Sequence, residues 1–164
     1  MEVIKRNGYK QTVFFDKITS RIQSLCREIG TPTTWLDVDP IIVSQKICNQ
    51  IHDQIHTKDI DLLASQTAVS MITSHPDYGT LAARIFVSNL HKDTNNSFLQ
   101  TMLTLHENDL VSDELIGVTR THEDRIEEAL NIYKNNDYKY DYFGLKTLER
   151  SYLLKIYGKV VERP

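Results

Sequence analysis

Val3-Ile4-Lys5-Arg6-Asn7-Gly8-Tyr9-Lys10-Gln11-Thr12-Val13-Phe14-Phe15-Asp16-Lys17-Ile18-Thr19-Ser20-Arg21-Ile22 is the stretch from which the fold is read. Two short runs rich in β-formers flank Asn7-Gly8, and Asn-Gly is the strongest two-residue hairpin signal, because both positions of a type I′ turn take positive φ. The pattern predicts a β-hairpin over about 2–14. Asp16 then reads as the N-cap of a helix whose apolar positions Ile18, Ile22, Leu25 and Ile29 follow helical spacing, with Gly30 ending it and Pro32 beyond. Charge gathers at the same place. Lys5, Arg6, Lys10, Lys17 and Arg21 stand against Glu2 and Asp16, in a chain whose overall net charge is -3.

Outward from this start, residues 31–38 read as a loop around Trp35. Asp39-Pro40, a cap followed by proline in the first turn, opens a second helix through Val43, Ile47, Ile51 and on toward Ile55. Thr57 reads as the cap of a third helix with Ile60, Leu63, Ala64, Thr67, Met71 and Ile72 on its buried face. Ser74-His75-Pro76 breaks it, and a fourth helix follows from about Pro76 to His91. The first 92 residues thus read as a hairpin plus four helices, a mainly α (α+β) unit. The polar run Lys92 to Ser97 is a candidate boundary. Beyond it the spacing predicts a short helix at Phe98, Met102 and Leu105, another over Glu123–Tyr133, and a third over Leu145–Leu154. Ile156 to Glu162 reads as a turn or strand start. Tyr138 to Gly144 holds too many aromatics for a linker.

The 164 residues, 25% charged and 40% hydrophobic, suffice for one domain or one and part of another. No apolar run reaches the roughly 20 residues of a membrane span, and the first residues lack the apolar segment of a secretory signal. With only Cys26 and Cys48, a reducing, cytoplasmic address is expected. A net charge of -3 argues against a nucleic-acid binder.

The chemistry on offer is confined to charge. His52 and His56 are four apart and could share a metal on a helix face, but no acidic or Cys ligand stands at a matching interval, so no metal site is expected. Cys26 and Cys48 have no CxxC partner and read as buried thiols. Glu149, Lys146 and Arg150 form an ordinary helix-surface group. Phosphate-loop, dinucleotide, esterase and zinc-protease motifs are all missing. The basic hairpin beside a helix N-terminus could hold a polyphosphate. Alternation along a strand would send Lys5 and Arg6 to opposite faces, so spacing alone leaves a solvated hairpin open as well.

Val3-Ile4-Lys5-Arg6-Asn7-Gly8 followed by Phe15-Asp16-Lys17-Ile18-Thr19 and Arg21-Ile22 resembles the opening of an ATP-cone, the regulatory nucleotide-binding domain of many ribonucleotide reductases. His75-Pro76-Asp77-Tyr78, Leu81-Ala82-Ala83-Arg84-Ile85 and Ser88-Asn89-Leu90-His91-Lys92 resemble the end of that cone in eukaryotic and viral class I large subunits. Asp141-Tyr142-Phe143-Gly144-Leu145-Lys146-Thr147-Leu148-Glu149-Arg150-Ser151-Tyr152 and Gly158-Lys159-Val160-Val161-Glu162-Arg163-Pro164 resemble the approach to the catalytic α/β barrel.

The resemblance implies a cone over 1–92 and an incomplete helical start of the catalytic domain over 93–164, as in a split or truncated chain. It implies ATP or dATP as allosteric effector with Mg²⁺. Lys5, Arg6, Lys17 and Lys92 match phosphate contacts. Gln11, Thr12, Val13, Phe14, Phe15 and Asp16, with Lys17, match the segment that wraps the nucleotide, and Ile18 lies beside the base. Thr57 matches an adenine contact and Asp61 the position near the ribose. Gln11 is a departure, since many cones carry Glu there. The family's catalytic cysteines lie beyond the matched stretch, so ribonucleotide reduction is not expected of these residues alone. The expected partners are the remainder of the reductase large subunit, its small subunit and oligomeric copies, with no nucleic acid and no membrane. The alternative is a stand-alone nucleotide-sensing module that acts as an assembly inhibitor or decoy.

Overall fold

A computed structural model describes residues 1–27 and 35–164. The chain is mainly α with short strands. Strands β1 (Glu2–Ile4) and β2 (Lys10–Thr12) pair antiparallel, with Val3 opposite Gln11. The hairpin forms where expected but its turn differs. Gly8 N–H donates to the Lys5 carbonyl (2.9 Å), Lys5 N–H donates to the Tyr9 carbonyl (2.8 Å), and Gly8 alone in the loop has positive φ, +84°. This is a type I turn closed by a left-handed glycine, the usual three-residue hairpin loop, which spares Asn7 the positive φ that a type I′ turn would impose.

Helix α1 (Phe15–Cys26) buries Ile22 and Leu25. Its N-cap position is Phe14, and Asp16 sits inside the first turn, where its charge complements the helix dipole without capping a backbone N–H. The expectations for Ile29, Gly30 and Pro32 lie outside the described residues. Trp35 is 69% exposed, with the Arg27 guanidinium 5.2 Å from its ring. Helix α2 (Pro40–Cys48) begins as read, the Asp39 carboxylate accepting from Ile41 N–H at 2.8 Å.

The end of α2 corrects the sequence reading. The helix stops at Cys48, and Ile55–His56 forms strand β3, parallel to β1 with Val3 opposite Ile55. Ile51 and Ile55 are buried, so their spacing reported burial correctly and the element type wrongly. The chain turns at Gln54, at φ 61°, where Gln54 N–H donates to the Glu2 carbonyl and the Asp53 carboxylate accepts from Glu2 N–H. His52 and His56 therefore do not share a helix face. The sheet order is β2-β1-β3.

Helix α3 (Thr57–Ser70) starts at Thr57, with His56 in the cap position, so Thr57 does not cap it. Ile72, expected on the buried face, lies past the helix end and is 40% exposed. Helix α4 (Asp77–Asp93) forms the centre of the core: Leu81, Ala82, Ile85 and Val87 are each 0% exposed and pack with Val43, Ile47 and Ala68.

Beyond it lie α5 (Phe98–His106), α6 (Asp113–Thr121), α7 (Glu123–Tyr133), a 3₁₀ turn over Asn136–Lys139 and α8 (Tyr142–Ser151). A final hairpin pairs β4 (Lys155–Ile156) with β5 (Lys159–Val160). Helix α8 begins three residues earlier than the spacing suggests, because the Asp141 carboxylate accepts from Gly144 N–H at 2.6 Å. Its Tyr142 and Leu145 join the first core. Met102, Leu105 and Ile116 make a second, small cluster. No described helix is long and apolar enough to cross a membrane.

Candidate functional site

A cleft of about 530 Å³ opens between the hairpin, α1, α3 and the end of α4. Lys5 and Arg6 enter from the hairpin loop. Strand alternation does not separate them, because Arg6 lies beyond the end of β1, inside the turn. Gln11, Thr12, Val13 and Phe14 line it from β2 and the chain leading into α1. Lys17 and Ile18 follow on α1, Thr57 and Asp61 on α3, and Lys92 on α4.

Two predicted residues are not brought in. Phe15 and Asp16 are exposed and do not line the cleft. Helix geometry explains the selection: Phe14, Lys17, Ile18, Arg21 and Ile22 recur at three- and four-residue intervals and share one face, from which Phe15 and Asp16 are rotated away. The same periodicity could have found Arg21, one turn beyond Lys17, which the sequence reading counted as charge but not as site. On α3 the analogous set is Thr57, Ile60, Asp61 and Ala64.

Asp61 organises the electrostatics. It is 5% exposed, and its carboxylate accepts from Arg21 Nε at 2.7 Å, Lys92 Nζ at 3.1 Å and an Arg6 guanidinium nitrogen at 3.3 Å. Arg6 also donates to Asp93 (2.7 Å) and to the Asn89 side chain. Arg21 reaches Ser88 Oγ at 3.3 Å. Three cations thus converge on one buried carboxylate, an arrangement whose Coulomb gain offsets desolvation only while all partners remain. Burial pushes the Lys92 ammonium below the ordinary lysine range; Asp61 opposes that shift, and Arg21 and Arg6 add to it. Lys5 and Lys17 make no ion pair among the described residues, and the Lys17 ammonium lies 4.8 Å from the Phe14 ring centre.

The cleft therefore presents cations at its mouth, a cation-ringed carboxylate, and an apolar wall from Val13, Ile18, Ile60 and Ala64. That suits a ligand with a multiply charged anionic end and a flat apolar end. Among the described residues no group of three or more His, Cys, Asp or Glu could hold a metal. Cys26 is 3% exposed and burial pushes its thiol up to about 11, so it is an inert core residue.

Comparisons with known proteins cover this half of the molecule and extend beyond it. A family model described as the ATP cone domain matches residues 1–93. The chain is similar along its whole length to ribonucleoside-diphosphate reductase large subunits. It is 48% identical to that of Dictyostelium discoideum, covering 100% of this chain and 20% of the relative. The corresponding values are 44%, 100% and 20% for Arabidopsis thaliana, and 43%, 100% and 22% for Vaccinia virus (strain Copenhagen). The chain spans about a fifth of the length of these curated relatives and matches their N-terminal part. Hairpin, four helices and cleft all fall within the matched residues, and the chain belongs to the ATP-cone family, in the form that opens ribonucleoside-diphosphate reductase large subunits.

Proposed function

We propose that the cleft is an allosteric site for ATP and dATP, and that this chain is the regulatory N-terminal region of a cytoplasmic ribonucleoside-diphosphate reductase large subunit. Residues 1–92 act as the cone and 93–164 lead into the catalytic domain. The observation that carries this reading is the assembly, in one cleft, of Lys5 and Arg6 from the hairpin loop, Lys17 from α1 and Lys92 from α4 around an apolar wall. The triphosphate lies on these cations, the base against Ile18 and Thr57, and the ribose near Asp61.

Chemistry then assigns Asp61 two tasks. Without ligand it pairs with Arg6, Arg21 and Lys92 and offsets part of their charge. With ligand the phosphates compete for Arg6 and Lys92, which frees the carboxylate to accept from a ribose hydroxyl. ATP and dATP differ by the 2′-hydroxyl, and one such bond contributes on the order of 1 kcal/mol, a several-fold preference. A differential affinity of that size can bias two states of an assembly. Magnesium would arrive on the phosphates with its own waters, since Asp61, the one carboxylate lining the cleft among the described residues, is taken up by cations and the ribose. Gln11 keeps hydrogen-bonding capacity at the cleft wall without adding a negative charge near the phosphates.

Exposed Leu115, Val118, Leu130 and Ile132 on α6 and α7 favour a chain that packs against more of a reductase, the rest of the large subunit or its small subunit, over a self-sufficient inhibitor module. The deciding test is calorimetric titration of the 164-residue chain with ATP and dATP in magnesium buffer. Binding of both is expected, weakened in Lys5→Gln and Lys92→Gln. No heat and no thermal stabilisation at millimolar nucleotide would end the proposal.

A further inference from the structure

Arg6, Thr57 and Lys92 line a second cavity on their other side, of about 1060 Å³, closed by the C-terminal part of the chain. Its far wall carries Lys146 and Arg150 of α8 and Lys155 and Lys159 of the terminal hairpin, facing Lys58 of α3. Against these seven cations stand two lining carboxylates, Asp93 and Glu149. Both are taken, Asp93 by Arg6 and Glu149 by Lys146. Lys58, Arg150, Lys155 and Lys159 make no ion pair among the described residues, although they come from separate elements that fold into one concavity. The concavity is half open and these four side chains are exposed, so like charges gathered around it repel one another across solvent, and an anion relieves that repulsion. The floor is apolar: Ile4, Phe86, Leu90 and Val160, with the Lys146 ammonium 5.2 Å from the Phe86 ring centre.

We propose that this cavity is a second anion site, taking a small organic polyphosphate whose charged end meets Lys58, Arg150, Lys155 and Lys159 and whose apolar part rests on Phe86. The outer wall of this site is built from α8 and the β4-β5 hairpin, which do not line the first cleft. The two sites share Arg6 and Lys92, so a ligand in one withdraws cations from the other, and their occupancies oppose each other.

The test is calorimetry on the full 164-residue chain at low ionic strength, with tripolyphosphate and ATP as separate probes, comparing Lys155→Gln/Lys159→Gln with Lys17→Gln. The wild-type chain is expected to take up two equivalents of tripolyphosphate. Lys155→Gln/Lys159→Gln should weaken one of them about tenfold or more, and Lys17→Gln only the other. If ATP also fills the second site, its natural ligand is a nucleotide; if only tripolyphosphate does, the organic part of the ligand is not a nucleoside. A single equivalent in the wild type, or two isotherms untouched by Lys155→Gln/Lys159→Gln, overturns the proposal. Protection of Lys58, Lys155 and Lys159 from acetylation by tripolyphosphate, read by mass spectrometry, tests it on the unmutated chain, and no protection counts against it. Loss of the cleft isotherm alone would refute the nucleotide reading and leave this one standing.

Discussion

Helices α4 and α7 are both amphipathic, yet α4 buries nine of its seventeen residues and α7, eleven residues long, buries none. The difference lies in what surrounds them. Helix α4 has α3, α1 and α8 against it, and its core is closed by apolar side chains from β1, β3 and all four helices of the cone. Among the described residues, helix α7 packs chiefly on α5 and α6, whose shared cluster buries Met102, Leu105 and Ile116. Leu130, Ile132 and Tyr133 are left 45%, 73% and 60% exposed. An apolar stripe is a demand for a partner, and the cone meets that demand internally while residues 98–133 do not.

This contrast can be broken by mutation. Ile85→Ala empties a site that is 0% exposed in the cone core and should cost about 2–5 kcal/mol, with loss of cooperative unfolding over residues 1–93. Leu105→Ala, at an equally buried site, should instead release α5 to α7 locally and leave the cone melt nearly unmoved. Denaturant titration combined with hydrogen exchange separates the two. Equal global losses would mean that the regions unfold as one unit.

Asp61→Asn sharpens the same contrast from the functional side. Removing the charge leaves Arg6, Arg21 and Lys92 mutually repelling, but these side chains are 28–37% exposed, so screening holds the loss to about 1–2 kcal/mol, smaller at high salt. ATP affinity should rise as cations are released, and the preference between ATP and dATP should narrow. Unchanged discrimination would remove Asp61 from the ribose.

Between the regions lies a clasp. The Arg163 guanidinium donates to Thr94 Oγ1 (2.9 Å), Asn96 Oδ1 (3.0 Å) and the carbonyls of His91 and Thr94 (both 3.1 Å), and the Asp137 carboxylate bonds His91 at 2.6 Å. Arg163→Ala should cost about 1 kcal/mol and speed hydrogen exchange over 91–97. No change there would show that the polar stretch after α4 is held by other contacts.

The helices of the cone are legible in the sequence because they carry strong apolar spacing, and the hairpin because Asn7-Gly8 is a clear turn signal. What stays hidden follows from the limits of spacing. Ile51 and Ile55 keep a four-residue interval whether the chain is helical or turns into a strand, so β3 was hidden. Helix α6 was not read because Leu115, Val118 and Thr119 make too weak a stripe, although Ser112 caps it. Helical spacing puts Arg21 on the cleft face of α1, but its pairing with Asp61, forty residues away, is encoded by no local pattern. The basic cavity is tertiary throughout: Lys58 and Lys159 lie a hundred residues apart in sequence and share one concavity only in the fold.

The smallest effect reports on how dry the cone core is. Burial raises the Cys26 thiol to about 11, with nearby Arg84 pulling the other way. A pKa raised in the folded state means that the folded chain holds its proton where the unfolded chain, near 9, has lost it. The associated stability is complete below pH 9 and is lost as pH rises from about 9 to 11. Cys26→Ala should flatten that part of the pH–stability curve, and the native thiol should resist iodoacetamide at pH 8 until the cone unfolds. Rapid alkylation in the native state would mean that the core around Ile22 and Arg84 opens to water, and the contrast between a closed cone and an open second region would weaken. Leu105→Ala should leave the Cys26 alkylation rate unchanged, since the two clusters share no buried residue.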